Sequence, residues 1–120
     1  MSLLLRFRRW IADAFRRPML AEPVEDLPDE IQSGKVYLVG DPGTPWSAAL
    51  ICPCGCAEVI RLSLIRDDSP RWRATTHEDG AVTLEPSVWR IKGCRSHFIL
   101  RRGRVAWTKD SPLSRLRRGT

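Results

Sequence analysis

All four cysteines of this 120-residue chain fall in two short blocks, Cys52-Pro53-Cys54-Gly55-Cys56 and, after residues 57 to 93, Cys94-Arg95-Ser96-His97. The second block also holds His97, one of the two histidines. Soft thiolates one residue apart, answered by a distant Cys and His, make the donor set that closes a tetrahedral site around a borderline-soft cation such as zinc. The pattern predicts a small domain stapled by a metal, with Cys52, Cys54, Cys56, Cys94 and His97 as candidate ligands.

Five candidates for a four-coordinate ion leave the set open. Cys54-Gly55 resembles one half of a zinc knuckle, where glycine lets amides turn toward the thiolate, and Cys94 with His97 has the two-residue gap of the other half. Cys52 with Cys54, or Cys54 with Cys56, completes the site. A three-cysteine claw plus Cys94 would instead leave His97 free to act as a base. A Cys-x-Cys pair facing Cys-x-x-His is also the ligand complement of some [2Fe-2S] proteins, so a cluster is the alternative to zinc. A Rieske centre would need a second histidine, and His77 lies in Thr76-His77-Glu78-Asp79-Gly80, which reads as a solvated loop.

Disulfides fit this spacing poorly. Cys52, Cys54 and Cys56 can each reach only Cys94 without a strained local ring, which allows one bridge and strands two thiols. An export signal would favour bridges, but the first twenty residues carry five arginines through their apolar segment, unlike a secretory leader. A reducing, cytoplasmic setting is the expectation.

Charge is unevenly spread within the net +6. Residues 1–20 and 101–120 hold 12 Lys/Arg against 2 acids, while residues 21–100 hold 8 against 12. The basic balance therefore reads as two tails rather than a basic domain surface. Residues 3–17 read as an amphipathic helix, with Leu3, Leu4, Phe7, Trp10, Ile11, Ala14 and Phe15 at helical spacing, ended by Pro18. That face suits the domain's own core or self-association, a partner groove, or a membrane surface. No transmembrane segment is present.

The expected organisation is a basic amphipathic helix at 1–18, an acidic Pro-rich linker at 19–34 with little to bury, a metal-binding β domain at 35–110 and a basic mobile tail at 111–120. Within the domain, short β-like runs are Val36–Val39, Ser47–Ile51, Val59–Leu64, Trp72–Thr76, Ala81–Leu84, Phe98–Leu100 and Val105–Trp107. Glu78-Asp79-Gly80 and Arg102-Gly103 read as hairpin turns. The fold class expected is mainly β: a small antiparallel zinc-stapled β domain preceded by one amphipathic N-terminal α-helix.

Ile51-Cys52-Pro53-Cys54-Gly55-Cys56, Trp72, Val82 to Val88 with Pro86-Ser87, Cys94-Arg95-Ser96-His97-Phe98 and Val105-Ala106-Trp107 together resemble an uncharacterised bacterial domain family. Its pattern runs C-P-C-G-C-G, P-S-I, then C-R-S-H followed by an aromatic. The likeness covers about residues 35 to 108; it departs at Ala57, where the family tends to glycine, and at Val88, where it tends to isoleucine. The resemblance implies a place beside bacterial ubiquitin-like proteins and fused E2/E1-type enzymes, in a conjugation pathway serving defence. It implies no particular activity.

Two readings of different kind follow, the first preferred. A non-enzymatic zinc module, an adaptor or ligase-like accessory, would bind the ubiquitin-like modifier or an E2/E1-type enzyme. Its closed site would be structural, Arg95 would satisfy buried carbonyls, and Ser87 or Ser96 would donate hydrogen bonds to the thiolates. Alternatively, a metal-supported hydrolase or transferase would act on the modifier, with an unliganded cysteine or a serine as nucleophile, His97 as base, and Glu58 or Glu85 brought close by the fold. Nucleic-acid binding through the terminal arginines is a further, less favoured reading.

Overall fold

The computed structural model describes residues 17–90 and 93–108. Eight strands follow in chain order: β1 Leu20–Val24, β2 Lys35–Asp41, β3 Thr44–Ile51, β4 Val59–Ser63, β5 Arg73–Thr76, β6 Val82–Trp89, β7 His97–Arg101 and β8 Arg104–Trp107. They form two four-stranded sheets, ordered β1-β2-β3-β4 and β5-β6-β7-β8.

Alternation decides what each strand buries. Ile60 and Leu62 are buried around an exposed Arg61, Val82 and Leu84 around a half-buried Thr83, and Phe98 and Leu100 around a half-buried Ile99. Successive side chains of a strand point to opposite faces, so one face of each sheet is apolar. One core takes side chains from both sheets: Val36, Ala48, Leu50, Ile60 and Leu62 from the first, and Val82, Leu84, Val88, Phe98 and Leu100 from the second. Cys52 is packed in that same cluster, so the cysteine turn is anchored on the core.

The sheets are stitched at Met19, which is itself buried. Its amide donates to the Gly103 carbonyl (2.8 Å), the Gly103 amide donates to Val82 (2.7 Å), and the Val82 amide donates back to Met19 (3.3 Å). Arg102 and Gly103 both have positive φ, 47° and 77°, as a two-residue type I′ hairpin requires. A Cβ on Gly103 would stand 2.6 Å from the Met19 nitrogen. Glycine is needed here for both conformation and room.

Both expected hairpins form, β5 with β6 and β7 with β8, but the fold class needs correction. The described protein is all-β, and its pairing is mixed: β1 runs parallel to β2. This strand lies inside the segment expected to be a linker with little to bury. Its acid and proline are compatible with an edge position, where Pro23 costs no needed donor and Glu22 reaches Lys35 at 3.9 Å. No helix occurs among the described residues. The helix expected over residues 3–17 falls almost wholly outside them, as does the basic tail at 111–120.

Strand β6 also runs further than the apolar pattern indicated. It continues past Leu84 through Glu85 and Pro86 to Trp89. Pro86 has no amide to give the ladder, and here the register with β7 slips: Leu84 pairs with Leu100, but Val88 pairs with Phe98 and Trp89 with His97. Two extra residues are thus accommodated on β6. A slip of two keeps each side chain on its own face, so Val88 and Phe98 remain in the core while Ser87, Trp89 and His97 share the opposite face.

Candidate catalytic and metal sites

The turn between β3 and β4 carries three of the thiols. The Cys52 amide donates to the Glu58 carbonyl at 2.9 Å, which closes the turn. Gly55 (φ 94°) and Ala57 (φ 66°) take left-handed conformations that fold the chain back on itself. The fourth thiol comes from the connection between β6 and β7, held by the Arg90 amide donating to the Ser96 carbonyl at 2.7 Å. All four cysteines are free, and the Sγ atoms of Cys52, Cys54, Cys56 and Cys94 all lie within 4.8 Å of one another. His97 is not in this group.

The sulfur separations fit a metal better than bridges. Cys52 Sγ lies 3.4 Å from Cys54 Sγ and 3.7 Å from Cys94 Sγ, whereas a disulfide needs about 2.05 Å. Four thiolates at about 2.3 Å from a zinc ion stand roughly 3.7 Å apart at the corners of a tetrahedron. The donor chemistry therefore fits a thiophilic ion such as zinc. Four protein thiolates would fill its coordination.

The thiols are electrostatically divided. Burial above all pushes Cys52 far up and raises Cys54. For Cys94 burial works in the opposite sense to its hydrogen bonds, and the Ser96 hydroxyl and amide bring it down to about 6. Packing four thiols together penalises their ionisation; a divalent cation among them reverses that penalty. Ser96, wholly buried, has its hydroxyl 3.2 Å from Cys94 Sγ, the contact expected of a serine supporting a thiolate. Arg90, which the sequence did not single out, places Nη1 3.7 Å from Cys56 Sγ and ion-pairs with Glu58 through Nη2. Arg95 is exposed and left-handed (φ 53°); its side chain is not buried among carbonyls.

His97 and Ser87 form a different arrangement. His97 Nε2 lies 2.8 Å from Ser87 Oγ. The Trp89 indole stacks on the imidazole, with centroids 4.9 Å apart and planes 11° from parallel, and so fixes the ring plane. On the other side of the ladder, the Thr108 amide and hydroxyl both donate to the His97 carbonyl, at 3.0 and 3.1 Å. The Ser87 carbonyl accepts from Trp72 Nε1 at 3.2 Å. The backbones of both residues and the ring of His97 are thus held. Of the carboxylates considered for this site, Glu58 is engaged by Arg90, while Glu85 borders the same groove as Ser87.

Ser87 borders an open groove of about 830 Å³ on the face of strands β5, β6 and β7. A serine hydroxyl within hydrogen-bond reach of an imidazole, on the wall of a cleft, is the nucleophile-and-base arrangement of acyl-transfer chemistry. The sequence flagged both residues but not their partnership, because it depends on β6 continuing through Glu85-Pro86 to pair with β7; the slip then places Trp89 opposite His97 and Ser87 diagonally beside it. A second histidine–hydroxyl contact lies nearby: His77, read from sequence as a solvated loop residue, is half-buried with Nε2 2.6 Å from Thr83 Oγ1. Thr83 Oγ1 also accepts the Arg102 amide at 3.0 Å, so this contact braces the β7–β8 turn.

Among the described residues no helix is long and apolar enough to cross a membrane. No curated protein and no solved structure matches the chain significantly. A family model does match, over residues 23–108, and its description is that of a bacterial ubiquitination-like system serine protease. That description agrees with the conjugation-pathway setting implied by the sequence resemblance, and it runs against the preference for a non-enzymatic adaptor. With most of its length covered by the match, the chain belongs to the BubE family of bacterial ubiquitination-like systems.

Proposed function

We propose that the protein is a serine hydrolase that cleaves an acyl bond of the ubiquitin-like modifier in its system, with Ser87 as nucleophile and His97 as general base. The observation that carries this reading is the 2.8 Å contact between Ser87 Oγ and His97 Nε2, joined to the family's description as a serine protease. With the ring proton on Nδ1, Nε2 accepts the hydroxyl proton as Oγ attacks the carbonyl carbon. The imidazolium then gives that proton to the leaving group, leaving an acyl-serine. Water, deprotonated by the same Nε2, attacks the ester carbonyl and releases the acid with Ser87 restored. Trp89 keeps the imidazole in plane throughout, which is a positioning role rather than a chemical one.

The four cysteines would hold a zinc ion as a structural staple. Four thiolates leave no coordination position for water or substrate, so the metal's contribution is to tie the β3–β4 turn to the segment that leads into His97. The Cys94–Ser96 contact makes that tie short in sequence: the ligand Cys94 stands three residues before the base.

The test is hydrolysis of a modifier carrying a C-terminal extension, measured with the intact chain and with Ser87→Ala and His97→Ala. Loss of turnover by about 10³-fold or more in each, with metal content unchanged, is expected. Full activity in Ser87→Ala would dismiss the serine mechanism.

A further inference from the structure

Among the described residues, the groove onto which Ser87 opens is lined by four arginines, Arg71, Arg73, Arg101 and Arg102, against a single carboxylate, Glu85. Glu85 stands opposite Arg73 in the β5–β6 register, so the one carboxylate of the described lining lies beside one of the four guanidinium groups and the other three have none opposite them. The ion pairs of the described residues, Lys35 with Glu22 and Arg90 with Glu58, involve none of the four. Arg73, Arg101 and Arg102 are exposed and Arg71 half-buried. They come from separate places in the chain: the loop before β5, β5 itself, the end of β7 and the β7–β8 turn.

We infer that this groove recognises acidic side chains of the peptide being cleaved, so that the substrate segment beside the scissile bond carries Asp or Glu. The inference rests on Ser87 being the nucleophile only for where the scissile bond lies. Guanidinium groups offer paired donors matched to a carboxylate, and converging like charges on a concave wall create a field that an anionic segment relieves. Three of the arginines sit on or beside the β5–β6–β7 ladder, so their backbone spacing is set before the ligand arrives and ordering on binding is confined to the side chains. Polynucleotide is a poorer occupant. Among the described residues no aromatic side chain lines the groove, and single strands are held by stacking on such rings as well as by charge.

The experiment uses the full metal-loaded chain and p-nitrophenyl esters of short peptides identical except for Glu, Gln or Lys next to the ester. The Glu ester is expected to show kcat/KM about tenfold above the Gln ester. Arg101→Gln and, separately, Arg71→Gln are expected to reduce that Glu:Gln ratio by at least about threefold, and Arg101→Glu to shift preference toward the Lys ester. Equal hydrolysis of the Glu and Gln esters by an enzyme that Ser87→Ala inactivates would overturn the inference while leaving the serine mechanism standing. If instead Ser87→Ala hydrolyses the esters as well as the parent does, the serine mechanism fails, and the groove is read by fluorescence anisotropy of labelled Glu-rich and Gln-rich peptides. Tighter binding of the Glu peptide, weakened in Arg101→Gln, supports the inference. Equal binding, or capture of a single-stranded oligonucleotide in preference to the Glu peptide, overturns it.

Discussion

Ser87 and His97 meet on the solvent-facing side of the second sheet, Oγ to Nε2 at 2.8 Å, although the ladder pairs His97 with Trp89 rather than with Ser87. The two-residue slip at Pro86 makes both contacts available at once. It sets the indole against the face of the imidazole and leaves the hydroxyl within reach of its tip. A diagonal neighbour in an antiparallel pair is distant for two short side chains but within reach of an imidazole.

Trp89 is 57 % exposed, so truncating it removes little core packing, and its effect should fall on the orientation of His97. Trp89→Ala is expected to lower kcat by about 10- to 100-fold while changing stability by no more than about 0.5 kcal/mol. Trp89→Phe should restore most of the loss. Steady-state kinetics beside denaturant titration separates the two effects; an equal loss of stability would assign the indole to packing instead.

Two histidines touch hydroxyl groups, His97 at Ser87 and His77 at Thr83, and the chemistry falls to His97. His97→Ala should reduce turnover by about 10³-fold, within the range for loss of a general base. His77→Ala should act chiefly on stability, by about 1 kcal/mol through the lost Thr83 contact. Turnover assays on both variants check this, and a reversed pattern would move the active centre to Thr83.

Metal removal should unfold the segment that leads into His97. The intact protein is expected to carry one zinc per chain by elemental analysis, and a strong chelator should abolish its cooperative melting, since binding free energy in a small metal domain is folding free energy. Cys52→Ser, at a fully buried ligand, should be insoluble or molten. Cys56→Ser, at an exposed one, should fold with weakened metal affinity. Because the ligands bind as thiolates, protons compete with the metal and acidification should release it. A metal-free chain with an unchanged sharp melt would refute this part.

Gly103 tests the joint between the sheets. Gly103→Ala brings a Cβ to 2.6 Å from the Met19 nitrogen at a φ of 77°, so a destabilisation of about 2–4 kcal/mol is expected. Thermal melting of the variant checks it, and a shift of less than about 2 °C would show that Met19 moves aside at little cost.

The cysteine framework was legible because its signal is local: thiols one residue apart need only a turn to converge, and Cys94 had no other thiols to join. The hairpins at Glu78-Asp79-Gly80 and Arg102-Gly103 were legible for the same reason. What escaped depends on pairing between distant segments. His97 shares its sequence block with a thiol but touches Ser87, and only the pairing of the far end of β6 with β7 decides that. Strand β6 seemed to stop at Leu84 because Glu85-Pro86 reads as a break, although a bulge accommodates it. Strand β1 was hidden by Glu22 and Pro23, which suit an edge. Arg101 and Arg102, counted with the basic C-terminal end, sit at a hairpin and line the groove beside Ser87.

The most direct test of the central claim is mass-spectrometric mapping after the intact protein is treated with a fluorophosphonate, which forms a stable bond only with an activated serine oxygen. A single adduct on Ser87, lost in His97→Ala and accompanied by loss of turnover, is the predicted result. An adduct on another residue, or none while turnover is fully inhibited by other means, would contradict it.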